Sequence, residues 1–408
     1  MISTLELVLL GVGGLVLLSV VVSPLASRLG APILLVFLGI GMLVGEDGPG
    51  GVVFDNFQVA TNLGSVALAV ILFAGGLGTR VRDIRVTWGP ALVLATLGVA
   101  LTAAVVGMSA WLVGVPLLLG LLLGAVVGST DAAATFLLLQ GRGIVLKGRV
   151  METIVVESGL NDPMAIFLTV TLVSFVAAGG ATLSLELLRT LSLQLGLGAA
   201  GGLLGGLGLA WLGRRLQLAR GLRAVMVLAG ALALFAAVQI AEGSGYLAVY
   251  LCGVVLMDRT DEAHREELDI THASLAWLSQ ILMFLMLGLL VKPHELAGEI
   301  LVSVGVAFVL IFIARPIAVA VCLAPFRFDL RERLFIAWVG LRGAVPIFLA
   351  VIVVASPGSS GVNFFNVVFL VVIASLILQG WTIPWMARRL RLEASPGASP
   401  GADARKSP

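Results

Sequence analysis

The sequence predicts an all-α polytopic membrane protein of about thirteen transmembrane helices, built as two inverted six-helix repeats with crossed discontinuous helices. Three observations predict it. Of 408 residues, 59% are hydrophobic and 12% charged, with a mean hydropathy of +1.12, against roughly 45–50% apolar and about 25% charged in a soluble domain. Apolar runs of bilayer-crossing length, about 20 residues, recur along the whole chain. Lys and Arg fall in alternate loops. Such a chain has room for roughly twelve to fourteen membrane helices and excludes a large soluble catalytic domain.

Runs bounded by charged or Gly/Pro clusters predict helices at 5–24, 31–45, 62–78, 89–111, 115–139, 150–178, 185–212, 221–241, 245–257, 272–291, 299–323, 332–355 and 363–387. The first is too long for a signal-peptide core and follows no basic cluster, so it reads as a retained helix. With the N-terminus outside, the cytoplasmic loops collect Arg28, then Arg80, Arg82 and Arg85, then Arg142, Lys147 and Arg149. They continue with Arg214, Arg215, Arg220 and Arg223, then Arg259 and Arg265, then Arg327, Arg331 and Arg333. Lys292 lies outside with Glu46 and Asp47, while Arg189, Arg315 and Arg342 remain within helices. A missed or invented helix would invert every later loop, so the asymmetry also places the C-terminus in the cytoplasm. The membrane domain is expected over 1–392. The low-complexity stretch 393–408 is expected to be a disordered cytoplasmic tail, and the acidic stretch 258–269 a solvated link between helices.

Cys252 and Cys322 sit in apolar runs, and His264, His272 and His294 have no metal-ligand spacing. Neither a disulfide framework nor a metal catalyst is expected. The small residues Gly201, Gly202, Gly205, Gly206 and Gly208 in the seventh helix suit close helix packing.

An internal repeat joins the fifth and twelfth helices. Residues 127–136 align with 339–348 at Val127/Val339, Gly128/Gly340, Ala132/Ala344 and Phe136/Phe348. An interval of seven helices is what two six-helix repeats around one linker helix give, and an odd interval inverts the second copy. Both segments carry helix-weakening residues in mid-membrane, Gly128, Ser129 and Thr130 in one, Gly343 and Pro346 in the other. The site is expected where they cross.

Ionisable residues inside a membrane are costly, and each calls for a function and a partner. Glu157, Ser158, Asn161 and Asp162 form one polar stripe on the sixth helix, because residues four apart stack on one face. Asp131 offers a second carboxylate opposite. Unwinding at Ser129 and Thr130 would free backbone carbonyls suited to a dehydrated monovalent cation. A carboxylate in low dielectric must be neutralised by a proton or a cation, so the two compete for Asp162. If the empty charged site cannot cross and the loaded one can, flux of one ion drives the other the opposite way. One proton for one monovalent cation moves no net charge, and Asn161 supplies no second acid. Glu157, left over from the ion site, is paired with Arg342; Arg315, followed by Pro316, is expected to cap a broken helix or reach the interface.

Together these residues are familiar. Glu157, Ser158, Asn161, Asp162 and Pro163, with Ser129, Thr130 and Asp131 upstream and Gly340, Leu341, Arg342, Gly343 and Ala344 downstream, resemble the monovalent cation:proton antiporters of the NhaP-like, electroneutral branch. The resemblance covers all thirteen helices. It implies the sodium/proton antiporter fold and a homodimer in the cell (inner) membrane, with a six-helix core moving against a dimerisation part. It implies H+ and K+ or Na+ as substrates, the lipid bilayer as surroundings, and neither enzyme activity, cofactor nor nucleic-acid partner. Carried over, Asp162 is the ion- and proton-binding carboxylate, Asp131 and the Thr130 carbonyl its partners, Ser158 a ligand, and Glu157 with Arg342 the structural pair. Asn161 stands where the electrogenic branch has an aspartate. Ala132 follows Asp131 where sodium members often have proline, and residues 72–76 lack their acidic residue. Both departures, with the run 129–134, bring the chain closest to the potassium/proton subgroup. That subgroup often adds a cytoplasmic regulatory domain, which is not expected here.

Other classes fit less well. An intramembrane aspartyl protease requires a motif this chain lacks, and the serine type would rest on residues 358–361 in an outer loop without a histidine base. A secondary transporter of another small solute, or a cation channel, although nothing resembles a repeated filter loop, remains the alternative.

Overall fold

In hydrocarbon every backbone N–H and C=O needs an internal partner, which for an apolar run means a helix. The computed structural model describes residues 4–29, 32–79, 81–177, 185–216, 218–219, 221–356 and 362–393. In chain order these form α1 (Thr4–Leu29), α2 (Ile33–Val44), α3 (Phe57–Gly78), α4 (Val81–Val93), a π-helical turn (Leu94–Gly98), α5 (Val99–Leu112), α6 (Leu117–Val126), α7 (Ala132–Gln140), α8 (Gly148–Ala177) and α9 (Leu185–Arg215). Then come α10 (Leu222–Ile240), α11 (Gly245–Arg259), α12 (Glu262–Leu289), the short α13 (Pro293–Leu296), α14 (Ile300–Val309), a second π turn (Leu310–Ala314), α15 (Arg315–Cys322), α16 (Leu330–Trp338), α17 (Ala344–Ala355) and α18 (Val362–Arg389). No strand occurs among the described residues. Eight helical stretches are long and apolar enough to cross a membrane, and shorter apolar helices accompany them.

Taking α4–α5, α6–α7, α14–α15 and α16–α17 as one pass each gives thirteen passes among the described residues, one for each apolar run. The fifth and twelfth are broken, between Val126 and Ala132 and between Trp338 and Ala344. The two π turns lie in the fourth and eleventh passes, again seven apart. A π turn carries one extra residue per turn and locally reshapes a helix, so the repeat is marked twice, by breaks and by π turns. The first π turn packs on α15 and the second on α5.

Boundaries shift where caps act. Asn56 accepts a hydrogen bond from Val59 N at 2.9 Å and starts α3 at Phe57. The stretch expected as a solvated link is largely the exposed beginning of α12, whose first-turn Glu262 complements the positive helix end. Glu393, the first residue of the expected tail, bridges to Leu146. Residues 394–408 and the loop motif at 358–361 lie outside the described residues.

The helices divide by packing. α11 packs chiefly on α9 and α3, and α2 on α12, whereas α8 packs chiefly on α4 and α6 and α17 on α18 and α3. Small residues bring the first set together. A Cβ on Gly76 or Gly253 would overlap the backbone of the facing α11 or α3, and Gly41 and Gly288 are apposed in the same way between α2 and α12. Gly202 and Gly206 of α9 meet the Ala248 and Cys252 carbonyls, the close packing their spacing suggests. Cys252 and Cys322 are buried free thiols.

Candidate functional site

Two interrupted helices meet at the centre of the molecule. α6 ends at Val126 and α7 restarts at Ala132; α16 ends at Trp338 and α17 restarts at Ala344. Each break leaves helix-end carbonyls and N–H groups without intrahelical partners, and these groups find one another or side chains. Asp131 N donates to Leu341 O at 2.8 Å, tying the breaks together. The Asp131 carboxylate caps α7 by accepting from Ala134 N at 3.0 Å. Gly343 passes so close that a Cβ there would overlap the Asp131 side chain, which explains glycine at this position.

Arg342 crosses from the second break to the first. Its guanidinium donates to Gly128 O at 2.7 Å and Ser129 O at 2.6 Å, placing a fixed positive charge at the carbonyl end of α6, where the helix dipole is negative. Its own N–H donates to Ser375 Oγ at 3.1 Å. Ser375 in turn donates to Gln379 Oε1, and Gln379 Nε2 donates to Trp338 O at 2.7 Å. A serine and a glutamine one helical turn apart on α18 thereby satisfy the second break.

α8 supplies the third wall. Ser158 Oγ donates to Thr130 O at 2.7 Å and accepts from Ala132 N at 3.0 Å. Asn161 Nδ2 donates to Thr130 Oγ1 at 2.6 Å. Asp162 Oδ1 accepts from Ser129 Oγ at 2.7 Å. Of the four residues expected as a polar stripe on this helix, Ser158, Asn161 and Asp162 therefore face the first break and brace the unwound residues 127–131.

The expected pair of Glu157 with Arg342 does not form. Glu157 is held by Arg315, whose terminal nitrogens donate to its two oxygens at 2.5 and 3.0 Å, both side chains being almost fully buried. Arg315 also donates to Ile336 O at 3.3 Å. Two freed carbonyls draw Arg342 into the first break, while Arg315, directly after the second π turn, faces Glu157. Arg315 accordingly caps a broken helix, donating to Ile336 O in the last turn of α16, and does not reach the interface. Its signal in the sequence was an arginine within an apolar run, the same signal that marked Arg342.

A cavity of about 460 Å³ opens beside the crossing. Asp131, Asp162, Ser158 and Thr130 line it, with Ser129, Gly159, Tyr250 and Gln280, and a largely apolar wall from α3 including Leu68, Ile71 and Leu72. Gln140, at the end of α7, and Asp269, within α12, also line it, both near loops whose charges lead one to expect them on the cytoplasmic side. Asn161, Glu157 and Arg342 stand behind this lining. Asp162 and Asp131 are half-buried, and among the described residues neither has an ion-pair partner, since Arg315 and Arg342 are engaged elsewhere. No cluster of three His, Cys, Asp or Glu suited to a metal ion occurs among the described residues. Oxygen, not nitrogen or sulfur, dominates the cavity's polar surface, which suits a hard cation. Ser129, Tyr250, Ser375 and Gln379 were missed as side-chain participants; Ser375 and Gln379 were visible as polar residues four apart in an apolar run.

Comparison with known proteins supports the same reading. The family described as sodium/hydrogen exchanger, transmembrane, matches residues 15–389. A K(+)/H(+) antiporter NhaP of Alkalimonas amylolytica is 48% identical over 400 residues, covering 97% of this chain and 69% of its own length. A K(+)/H(+) antiporter NhaP2 of Shewanella oneidensis is 47% identical over 385 residues, covering 94% of this chain and 67% of its own. Among solved structures, the sodium proton antiporter MjNhaP1 from Methanocaldococcus jannaschii superposes with a TM-score of 0.81 at 23% identity, covering 95% of this chain and 99% of that one. With a family match running from the first helix to the last, and relatives nearly half identical over the same stretch, this chain belongs to the transmembrane sodium/hydrogen exchanger family and is a multi-pass membrane transporter of the cell membrane, not an enzyme.

Proposed function

We propose that the chain exchanges a monovalent cation, potassium in preference to sodium, for a proton, with Asp162 as the group for which both compete. The observation that carries this reading is a half-buried carboxylate without a counter-charge, facing a cavity beside two helix breaks. Left ionised and empty it is costly, and either ion relieves the cost. Asp131, the Thr130 carbonyl and Ser158 complete an oxygen set around it. Ser158 uses its proton on Thr130 O and one lone pair on Ala132 N, so one lone pair remains for a cation. The potassium preference rests on the relatives named K(+)/H(+) antiporters and on residues 129–134. Asn161, which binds Thr130 and titrates nothing, supports one proton per cycle and hence electroneutral exchange. The working unit is proposed to be a homodimer built on residues 1–392.

Proton efflux from acid-loaded proteoliposomes, triggered by potassium, sodium or lithium with the membrane potential clamped or free, tests the proposal. Flux that follows potassium and ignores the clamp supports it. Sodium preference corrects the cation, dependence on the clamp corrects the stoichiometry, and no cation-triggered flux overturns the whole reading.

A further inference from the structure

Tyr250 is one of two tyrosines in the chain, and it is fully buried on α11. Its ring rests against α8 at Gly159, between Ser158 and Asp162 in the chain. A Cβ on Gly159 would come within 2.5 Å of the Tyr250 hydroxyl and 2.6 Å of the ring, so the phenol occupies the space that a larger residue would fill. Tyr250, Ser158, Gly159 and Asp162 line one cavity.

Proton accounting fixes what the phenol has left to offer. Thr79 Oγ1 donates to Gly75 O at 2.7 Å, so in its 3.4 Å contact with the Tyr250 hydroxyl the phenol is the donor. A phenol has one proton and two lone pairs. Its proton points to Thr79, and no donor among the described residues takes up its lone pairs. A neutral oxygen with free lone pairs therefore stands against Gly159, on a residue that lines the same cavity as the Asp162 carboxylate.

The position of that oxygen matters as much as its chemistry. Asp131, Thr130, Ser158 and Asp162 all lie on the first break or on α8, which packs on α4 and α6, whereas Tyr250 lies on α11, which packs on α9 and α3. We propose that the Tyr250 hydroxyl oxygen is a cation ligand, supplied from the α3–α9–α11 side while the cavity opens towards Gln140 and Asp269, and withdrawn when α8 shifts against α11. A large, weakly hydrated cation is held by the number of oxygens around it, so losing one ligand during the shift makes the site bind less tightly on the far side. This inference rests on the proposed exchange at Asp162.

The test is cation-dependent proton flux by wild type and Tyr250→Phe, in everted vesicles that expose the cytoplasmic face and in right-side-out vesicles. The phenylalanine keeps the ring and removes the oxygen. The cytoplasmic-face KM for potassium should rise about fivefold, or about 1 kcal/mol at 1.4 kcal/mol per decade, with the outer-face KM within about twofold and the thermal midpoint unmoved. Gly159→Ala, which displaces the hydroxyl without altering it, should raise the same KM. A cytoplasmic KM unchanged in Tyr250→Phe, or equal shifts on both faces, would overturn the inference while leaving exchange by wild type intact. Wild type without any cation-dependent flux would instead remove the function on which it rests.

Discussion

Three buried charges near the crossing have fixed partners, and Asp162 does not. Arg315 answers Glu157, and Arg342 answers two carbonyls; Asp162 has one hydroxyl. Asp162→Asn should abolish cation-dependent proton flux while preserving the thermal midpoint, because Ser129 can still donate to the amide oxygen; substantial flux in that variant would remove the residue from the site. Arg315→Met should act on stability, leaving Glu157 buried and unpaired at a cost of about 3–5 kcal/mol, read as a lowered midpoint in detergent. Pairing Arg315→Met with Glu157→Leu should recover most of that loss. The polar stripe of α8 was legible, since a spacing of four determines a face. The partner of Glu157 was not, because spacing along one helix says nothing about which of two distant arginines arrives beside it. Tyr250 was silent for the same reason: a tyrosine in an apolar run looks like packing until its neighbour is known to be Gly159.

At the scale of elements, the two breaks are held by different means. The first is braced by α8 through Ser158 and Asn161 and by Arg342, the second by α18 through Ser375 and Gln379. Gln379→Leu leaves the Trp338 carbonyl without its donor, so it should cost about 1–3 kcal/mol and slow exchange without abolishing it. A variant with wild-type midpoint and rate would show that the second break needs no brace from α18. Both breaks were readable from glycine, serine and proline in mid-membrane and from a repeat whose copies lie seven helices apart. The π turns were not, since 94–98 holds only one threonine and one glycine among apolar residues and 310–314 is wholly apolar, so neither stands out from its run, and an inserted residue changes the turn without changing the composition. They nonetheless sit at the repeat's own interval, which the alignment of 127–136 with 339–348 implies for every element of the two halves.

At the scale of the whole molecule, a latch joins the loop after α2 to the start of α13, on the face that the loop charges lead one to expect outside. Lys292 meets Glu46 at 2.8 Å, and Asp47 accepts from His294 N at 3.0 Å and from its ring at 2.6 Å. The two His294 hydrogen bonds hold the Asp47 carboxyl below its usual range, and the bond to Glu46 holds the Lys292 ammonium above its own. A lowered carboxyl pKa contributes stability that is present above about pH 4 and lost as pH falls through the folded value; a raised ammonium pKa contributes below about pH 10 and fades above it. The latch is thus closed at neutral pH and opens in strong acid. Amide exchange over 294–299, corrected for intrinsic rates, should rise between pH 6 and pH 3 in wild type, and Asp47→Ala should show the raised exchange already at pH 6. The charge asymmetry from which an orientation is expected also puts Glu46, Asp47 and Lys292 on one side, but only the folded chain brings residues nearly 250 positions apart into contact.

The α3 wall of the cavity has one more consequence. From Leu68 to Gly75 it offers the opposite side aliphatic groups and glycine, with its own N–H and C=O groups closed within the helix. Sliding along such a wall trades one dispersion contact for another of similar depth, with no directional bond to break along the path. The wall behaves as a lubricated bearing rather than a ratchet, and its resistance depends on shape: a protruding side chain at Gly75 would act as a stop, whereas leucine-for-isoleucine exchange at Ile71 would pass almost unnoticed.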